Sequence, residues 1–241
     1  MFYLSVLLYG LAAGATNQGI LSLFQQKFTG DGTYYGHTDT GMCQYNPPSL
    51  PPAALNPKIK YTVALNKPQF QDSFGCGMCF KVHGSGKGSG NSPITGDFFV
   101  FANNLCPECH AGSLDFAVSG DGRWNIEIQA VQCPVGNTNI EYKFQGTNPY
   151  YIKLQVRNAR IPVTEAEMMQ GGNYVSMKHT ADGFWELSNG HQVDQTGGVG
   201  VKLTAANGDT VTDIIPNLNN NVVLHGKNQV QFKLDPSLPT A

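Results

Sequence analysis

The sequence predicts an all-β protein, on three observations. Charged residues make up only 13% of its 241 positions, so the surface-helix formers Glu, Lys and Arg are scarce. Gly (28) and Pro (14) break the chain often, and 10% of the residues are aromatic, a mixture suited to short strands joined by turns. Apolar runs of strand length then recur between those turn signals, mostly too short for buried helices.

In the first half the strand signals are Phe98–Ala102 (FFVFA) and Trp124–Val131 (WNIEIQAV), the latter alternating at Ile126, Ile128 and Ala130. Gly84–Ser92 (GSGKGSGNS) is a Gly/Ser-rich segment and predicts a mobile loop. It resembles a phosphate loop only superficially, because no helical pattern follows it. After Gly136 the cysteines stop and strand patterns recur at 140–144, 150–157, 174–177, 199–204, 210–215 and 229–234. Turns are supplied by Gly171-Gly172, Asn189-Gly190, Gly197-Gly198, Asn207-Gly208 and Asn219–Asn221, so this half reads as a β-sandwich. Val163–Met169 (VTEAEMM) predicts one or two helical turns. The expected division is a leader at 1–15, a first domain at 16–136 and a second at 137–241.

Charge and cysteines bound the function. Residues 16–136 carry 7 Lys/Arg against 8 Asp/Glu, and residues 137–241 carry 8 against 9, so neither half is basic and nucleic acid is excluded as a partner. The first fifteen residues are apolar and end Ala13-Gly14-Ala15, the pattern of a cleaved secretory signal peptide, and no other stretch approaches a membrane span. A secreted, monomeric protein is expected, with no membrane partner. The six cysteines, Cys43, Cys76, Cys79, Cys106, Cys109 and Cys133, then read as disulfides. The rival reading is zinc, because Cys76–Cys79 and Cys106–Cys109 are both C-x-x-C pairs. It would orphan two cysteines and belongs to a reducing compartment. We expect no metal and no cofactor, and read His83 and His110 as loop histidines.

Asn103–Asp115 (NNLCPECHAGSLD) follows the FFVFA strand and ends in a carboxylate between apolar neighbours, the setting of an acid with a raised pKa. Taken alone, Asp115 reads more readily as a turn or cap residue. Here a resemblance enters. Thr33-Tyr34-Tyr35-Gly36 resembles the opening strand of expansins, and Gly75-Cys76-Gly77-Met78-Cys79-Phe80 their G-C-G-x-C-F signature. Asn103–Pro107 is similar to their T-N-x-C-P strand end, and Leu114-Asp115-Phe116-Ala117 to their L-D-L motif. Lys153–Asn158 (KLQVRN) resembles the I-Q-V-R-N strand of microbial members, and the motifs run in order from about Phe28 to Phe232.

The resemblance implies a six-stranded double-psi β-barrel, related to family 45 endoglucanases, followed by an immunoglobulin-like β-sandwich that binds cellulose. It implies a groove lined by Thr33, Tyr35, Asn104 and Asp115, with Asp115 the essential carboxylate and Thr33 its partner. It also implies the pairs Cys43–Cys76 and Cys79–Cys133, which leave Cys106–Cys109. The endoglucanases pair an acid with a base that activates water. In this chain the base position in Thr33–His37 holds no carboxylate, and Asp39 is the nearest candidate. The resemblance therefore implies wall loosening without hydrolysis, on cellulose and other wall β-glucans, with a lytic glycanase or a passive wall-binding protein as alternatives. Tyr150 and Tyr151 match the family's adjacent surface aromatics. Strand alternation turns Tyr151 outward with Lys153, Gln155 and Arg157, and buries Tyr150 with Ile152 and Leu154. The third aromatic position falls near Ala181, with Tyr174 a weak substitute and Trp185 a buried sandwich residue.

Overall fold

The computed structural model describes residues 17–38, 41–45 and 50–241. The expected leader at 1–15 and the candidate base Asp39 lie outside the described residues. The expected class, a six-stranded double-psi β-barrel followed by an immunoglobulin-like β-sandwich, is the architecture observed.

A helix over 17–25 (α1) comes first, and the sequence reading placed no element there. It buries Ile20, Leu23 and Phe24, the i, i+3, i+4 stripe that lets a single helix face seat on a barrel. Gln71 Nε2 donates to the Gly19 carbonyl at 3.1 Å and Gln129 Nε2 to that of Phe24 at 2.6 Å. No helix among the described residues is long and apolar enough to cross a membrane.

The barrel is built from β1 (Phe28–Tyr34), β2 (Ile59–Asn66), β3 (Cys79–Ser89), β4 (Thr95–Cys106), β5 (Leu114–Phe116) and β6 (Arg123–Val131), closed in the order β1-β5-β2-β4-β3-β6. The pairs β1–β5 and β2–β4 are parallel and the others antiparallel. Short helices α2 (Pro52–Leu55) and α3 (Lys67–Phe70) flank β2, and Asn66 caps α3 by accepting from Gln69 N at 3.0 Å. Val63, Leu65, Phe80, Val82, Val100 and Ile128 are buried in the core. Most of the Gly84–Ser92 segment is strand rather than loop: β3 runs on to Ser89 and pairs with β4 and β6, leaving only 90–92 outside the strand. Its glycines are needed there, because a Cβ on Gly84 would lie 2.5 Å from the Ile94 carbonyl oxygen and one on Gly88 2.2 Å from that of Arg123.

Two antiparallel sheets follow, comprising β7 (Glu141–Phe144), β8 (Ile152–Arg157), β9 (Val163–Gln170), β10 (Asn173–Ser176), β11 (Lys178–His179), β12 (Trp185–Leu187), β13 (Val199–Ala205), β14 (Thr210–Ile215) and β15 (Val223–His225). One sheet has the order β10-β9-β13-β14 and the other β11-β12-β8-β7-β15. The helix expected at 163–169 is strand β9. Thr164, Ala166, Met168 and Gln170 are buried alternately, and pairing with β13 outweighs the helix propensity of Glu and Met. Residues 229–234 form no strand; side chains hold them instead, with Gln231 Nε2 donating to the Asn158 carbonyl at 2.8 Å. Trp185 is buried, as the resemblance implied.

The outward face expected for β8 faces the barrel. Gln155 is 0% and Arg157 1% exposed. Gln155 Nε2 donates to the Cys43 carbonyl at 2.7 Å. The Arg157 guanidinium stands 5.3 Å over the Tyr45 ring, donates to Gln155 Oε1 at 3.1 Å and pairs with Glu141 at 3.6 Å. Alternation separates two faces correctly; it does not say that a second domain covers the polar one. On another side Gln132 receives the returning chain, accepting from Asp235 N at 2.9 Å and donating to the Asp235 and Leu238 carbonyls at 2.8 and 3.0 Å.

Removing one partner of a buried ion pair leaves the others unpaired. Arg157→Ala is therefore expected to lower stability by about 3 kcal/mol in denaturant titration, because Glu141 and Gln155 lose their buried partner.

Candidate functional site

The site begins with the spacing of β1. Gly30 and Gly32 face inward, where a Cβ on Gly32 would lie 2.3 Å from Ile94 Cδ1 and one on Gly30 2.3 Å from the Gly112 backbone. Only residues without side chains let β1 come this close. The alternate residues Asp31, Thr33 and Tyr35 then point outward. The parallel register sets Thr33 beside Asp115, and Thr33 Oγ1 donates to Asp115 Oδ1 at 2.8 Å. Leu114 and Phe116 are buried on either side, so Asp115 is the one residue of β5 that faces out, and it is a strand residue rather than a cap.

Asp115 is half-buried, and its pKa lies above the ordinary carboxylate value. Burial is the main cause, and the nearby Glu108 adds to it; the Thr33 hydrogen bond and the positive charge of Arg123 oppose it. Tyr35 N donates to the Phe116 carbonyl at 3.1 Å, which continues the ladder past Thr33. The Tyr35 hydroxyl faces Asn104 without a well-formed hydrogen bond, and burial raises its pKa. Asn104 Oδ1 accepts from Met42 N at 2.8 Å and Leu105 N at 2.9 Å, so Asn104 builds the groove wall by holding the 41–45 loop. Tyr35, Thr38, Gly41, Met42, Gln44 and Asn104 line an open depression of about 510 Å³. The structure thus brings together Thr33, Tyr35, Asn104 and Asp115.

Sequence reasoning missed Asp31. It shares the outward face of Thr33, is 23% exposed, and its Oδ2 accepts from Arg123 Nη1 at 2.8 Å, with His110 Nε2 at 3.4 Å. The alternation Gly-Asp-Gly-Thr in β1 was the signal that would have found it. His110 therefore sits at the groove end beside Asp31. His83 is on β3, bonded to Asp97 at 2.6 Å on the barrel's outer wall, and is a strand residue rather than a loop histidine.

All six cysteines are paired: Cys43–Cys76, Cys79–Cys133 and Cys106–Cys109, with Cα separations of 5.4, 5.1 and 5.4 Å. This pairing leaves no thiolate for the zinc reading, and the described residues contain no group of three or more His, Cys, Asp or Glu side chains arranged for a metal ion.

The aromatic pair lies on the second domain. Tyr150 is 54% exposed, and its hydroxyl accepts from Gln192 Nε2 at 2.6 Å. Strand alternation fails at this residue for a local reason. Asn148 Oδ1 accepts from the backbone N–H groups of Tyr150 and Tyr151 at 2.9 and 3.1 Å, a turn that delays β8 until Ile152. Tyr151 is half-buried on the same face as Lys153. Lys153 Nζ pairs with Asp182 at 2.7 Å, and Gln44 Nε2 donates to the same carboxylate at 3.2 Å. A polar bridge therefore joins the groove wall to the strand that follows the tyrosines. Ala181 supplies no aromatic there, and Tyr174 is on β10 in the other sheet, apart from the pair.

The Thr33 hydroxyl stabilises the ionised carboxyl of Asp115. Thr33→Val is expected to raise the Asp115 pKa further, read by carboxyl-carbon NMR titration of wild type and variant.

Comparison with known proteins finds similarity to expansins. No family model matches the chain. The expansin YoaJ of Bacillus subtilis (strain 168) is 29% identical over 131 residues, 49% of this chain and 53% of that protein, so the match spans about half of the curated relative. The crystal structure of apo Clavibacter michiganensis expansin superposes with a TM-score of 0.70 at 21% identity, covering 87% of this chain and 100% of that one. A mutant of the same expansin with asparagine in place of an aspartate, in complex with cellohexaose, matches with the same TM-score of 0.70. This chain is thus similar to expansins, in sequence over about half its length and in fold over 87% of it.

Proposed function

We propose that this is a secreted protein that binds cellulose and associated wall β-glucans and loosens the wall without hydrolysing it, through a barrel unit at 16–136 and a sandwich unit at 137–241. The observation that carries the reading is the Thr33–Asp115 pair, at 2.8 Å, on the same outward strand face as Tyr35, which lines the open depression with Asn104. A carboxyl with a raised pKa keeps its proton to higher pH than an ordinary one, and so donates to as well as accepts from sugar hydroxyls. Such bonds compete with those between glucan chains. The cellohexaose complex of the Clavibacter protein supports a β-glucan as the ligand class. Three disulfides support an oxidising, extracellular setting.

Hydrolysis by inversion needs a second carboxylate free to take a proton from water. Asp31 is the one observation that favours a lytic reading, since it shares the outward face of Thr33. Its Oδ2 is occupied by Arg123 and His110, which argues against that role. Tyr150 offers the sugar rings an exposed flat face, with its orientation held by Gln192.

Creep of cellulosic wall strips and reducing-sugar release, measured together, test the function. Creep without sugar release, lost in Asp115→Asn, is expected. Sugar release lost in both Asp115→Asn and Asp31→Asn would make the protein a glycanase, and creep or binding indifferent to Asp115 would make the groove passive. Tyr150→Ala is expected to weaken binding to cellulose about tenfold in depletion assays, the loss of one stacked ring, with a smaller effect for the half-buried Tyr151→Ala.

A further inference from the structure

Residues 71–76 of the barrel domain reach across to residues 179–185 of the sandwich. Gln71, Asp72 and Ser73 follow one another at φ of 46°, 50° and 75°, a backbone that side chains other than glycine adopt at a cost. The far side of the contact holds Ser73 in place. Ser73 is 1% exposed; its Oγ donates to the Thr180 carbonyl at 2.7 Å and accepts from Gly183 N at 3.1 Å. The next ring, Phe74, lies flat on the His179 imidazole, with centroids 3.9 Å apart and planes 20° from parallel. Trp185 meets the same imidazole at 4.6 Å. Gly183 permits the approach, since even a Cβ there would stand 3.2 Å from Cys76 Sγ, and Cys76 is bonded to Cys43 in the groove-wall loop. Tyr45, His179 and Trp185 line a small cavity of about 40 Å³ within this contact.

We propose that this contact is an acid-released latch between the two domains: neutral His179 joins Phe74 of the barrel to Trp185 of the sandwich, and its protonation opens the contact. The inference rests on the interface geometry and not on the glucan-binding reading.

Each neighbouring element bears on the proton. From the barrel segment, His179 meets the apolar face of Phe74, and Asp72 lies exposed on that segment. From the 180–183 turn comes Asp182, whose charge favours the protonated ring. Its carboxylate is already engaged by Lys153 at 2.7 Å and Thr180 at 2.6 Å. Tyr45 lines the same cavity with the Arg157 guanidinium over its ring. Lys178 and Glu186 pair with each other one step along β11 and β12, so alternation turns them to the opposite face. Burial prevails and holds the imidazole down at about 4 against an ordinary 6.5. The closed latch binds the proton less well than the open one. It therefore has full strength above about pH 6.5 and loses it as the pH falls towards 4.

Hydrogen exchange of the full chain at pH 7 and pH 4, corrected for intrinsic rates, tests the latch in wild type and His179→Phe. Phenylalanine keeps the stack and cannot take a proton. In the wild type, protection of residues 71–76 and 179–185 is expected to fall about a hundredfold between the two pH values, while β13 stays protected. In the variant the two segments are expected to stay protected. An equal fall in both proteins, or none in the wild type, overturns the proposal. Should the variant fail to fold, the imidazole titration of the wild type decides: a midpoint near 4 supports the latch and one near 6.5 overturns it.

Discussion

The close approach of β1 to the backbone at Gly112–Ser113 and to the barrel interior sets the position of everything in the groove. Gly30 and Gly32 remove the side chains that would hold the strands apart. That lets β1 pair in parallel with β5 on one side and antiparallel with β6 on the other. Once the register is set, the period-two geometry of a strand leaves Asp31, Thr33 and Tyr35 no choice but the outer face. Thr33 then meets Asp115 because they are register partners, and Asp31 meets Arg123 across the β1–β6 side. A single constraint of backbone distance thus decides hydrogen bonding, burial and charge at the groove centre.

The second organising feature is the polar seam between the domains. A sandwich sheet normally shows one face to water. Here β8 is graded along its length: Arg157 and Gln155 lie under the barrel, Lys153 at the margin and Tyr151 beyond it. The 41–45 loop takes part on both sides of this seam. It gives its Cys43 carbonyl to Gln155, its Tyr45 ring to Arg157 and its Gln44 amide to Asp182, while Met42 is held by Asn104. Groove wall and domain contact are therefore one piece of chain, pinned by Cys43–Cys76. Relative movement of the domains would be felt in the groove.

Much of the site was legible before any coordinates. The short motifs around Thr33, Asn104 and Asp115 carried the resemblance, and the structure places those side chains together. Alternation located β6, and apolar runs between turn signals located β13 and β14. It failed where local chemistry or a second domain intervened: at Tyr150, where the Asn148 turn precedes the strand, and at Gln155 and Arg157, whose polar face is covered. Composition misled twice. Glycine-rich residues 84–89 are strand because only glycine fits between β4 and β6, and Glu- and Met-rich β9 is strand because β10 and β13 pair with it.

By itself the sequence determined the all-β class and the change of character near residue 136, and a resemblance in its short motifs pointed to Asp115. These rest on local patterns of polarity, turn residues and short motifs. Only the tertiary structure decided that Asp31 is tied to Arg123 and His110, that Tyr150 stands clear of the sheet, and that His179 is held between rings from two domains. The physical reason is distance along the chain. Asp31 and Arg123 are 92 residues apart, and Ser73 and Thr180 are 107 apart. No local pattern records which of many polar side chains such a contact will join.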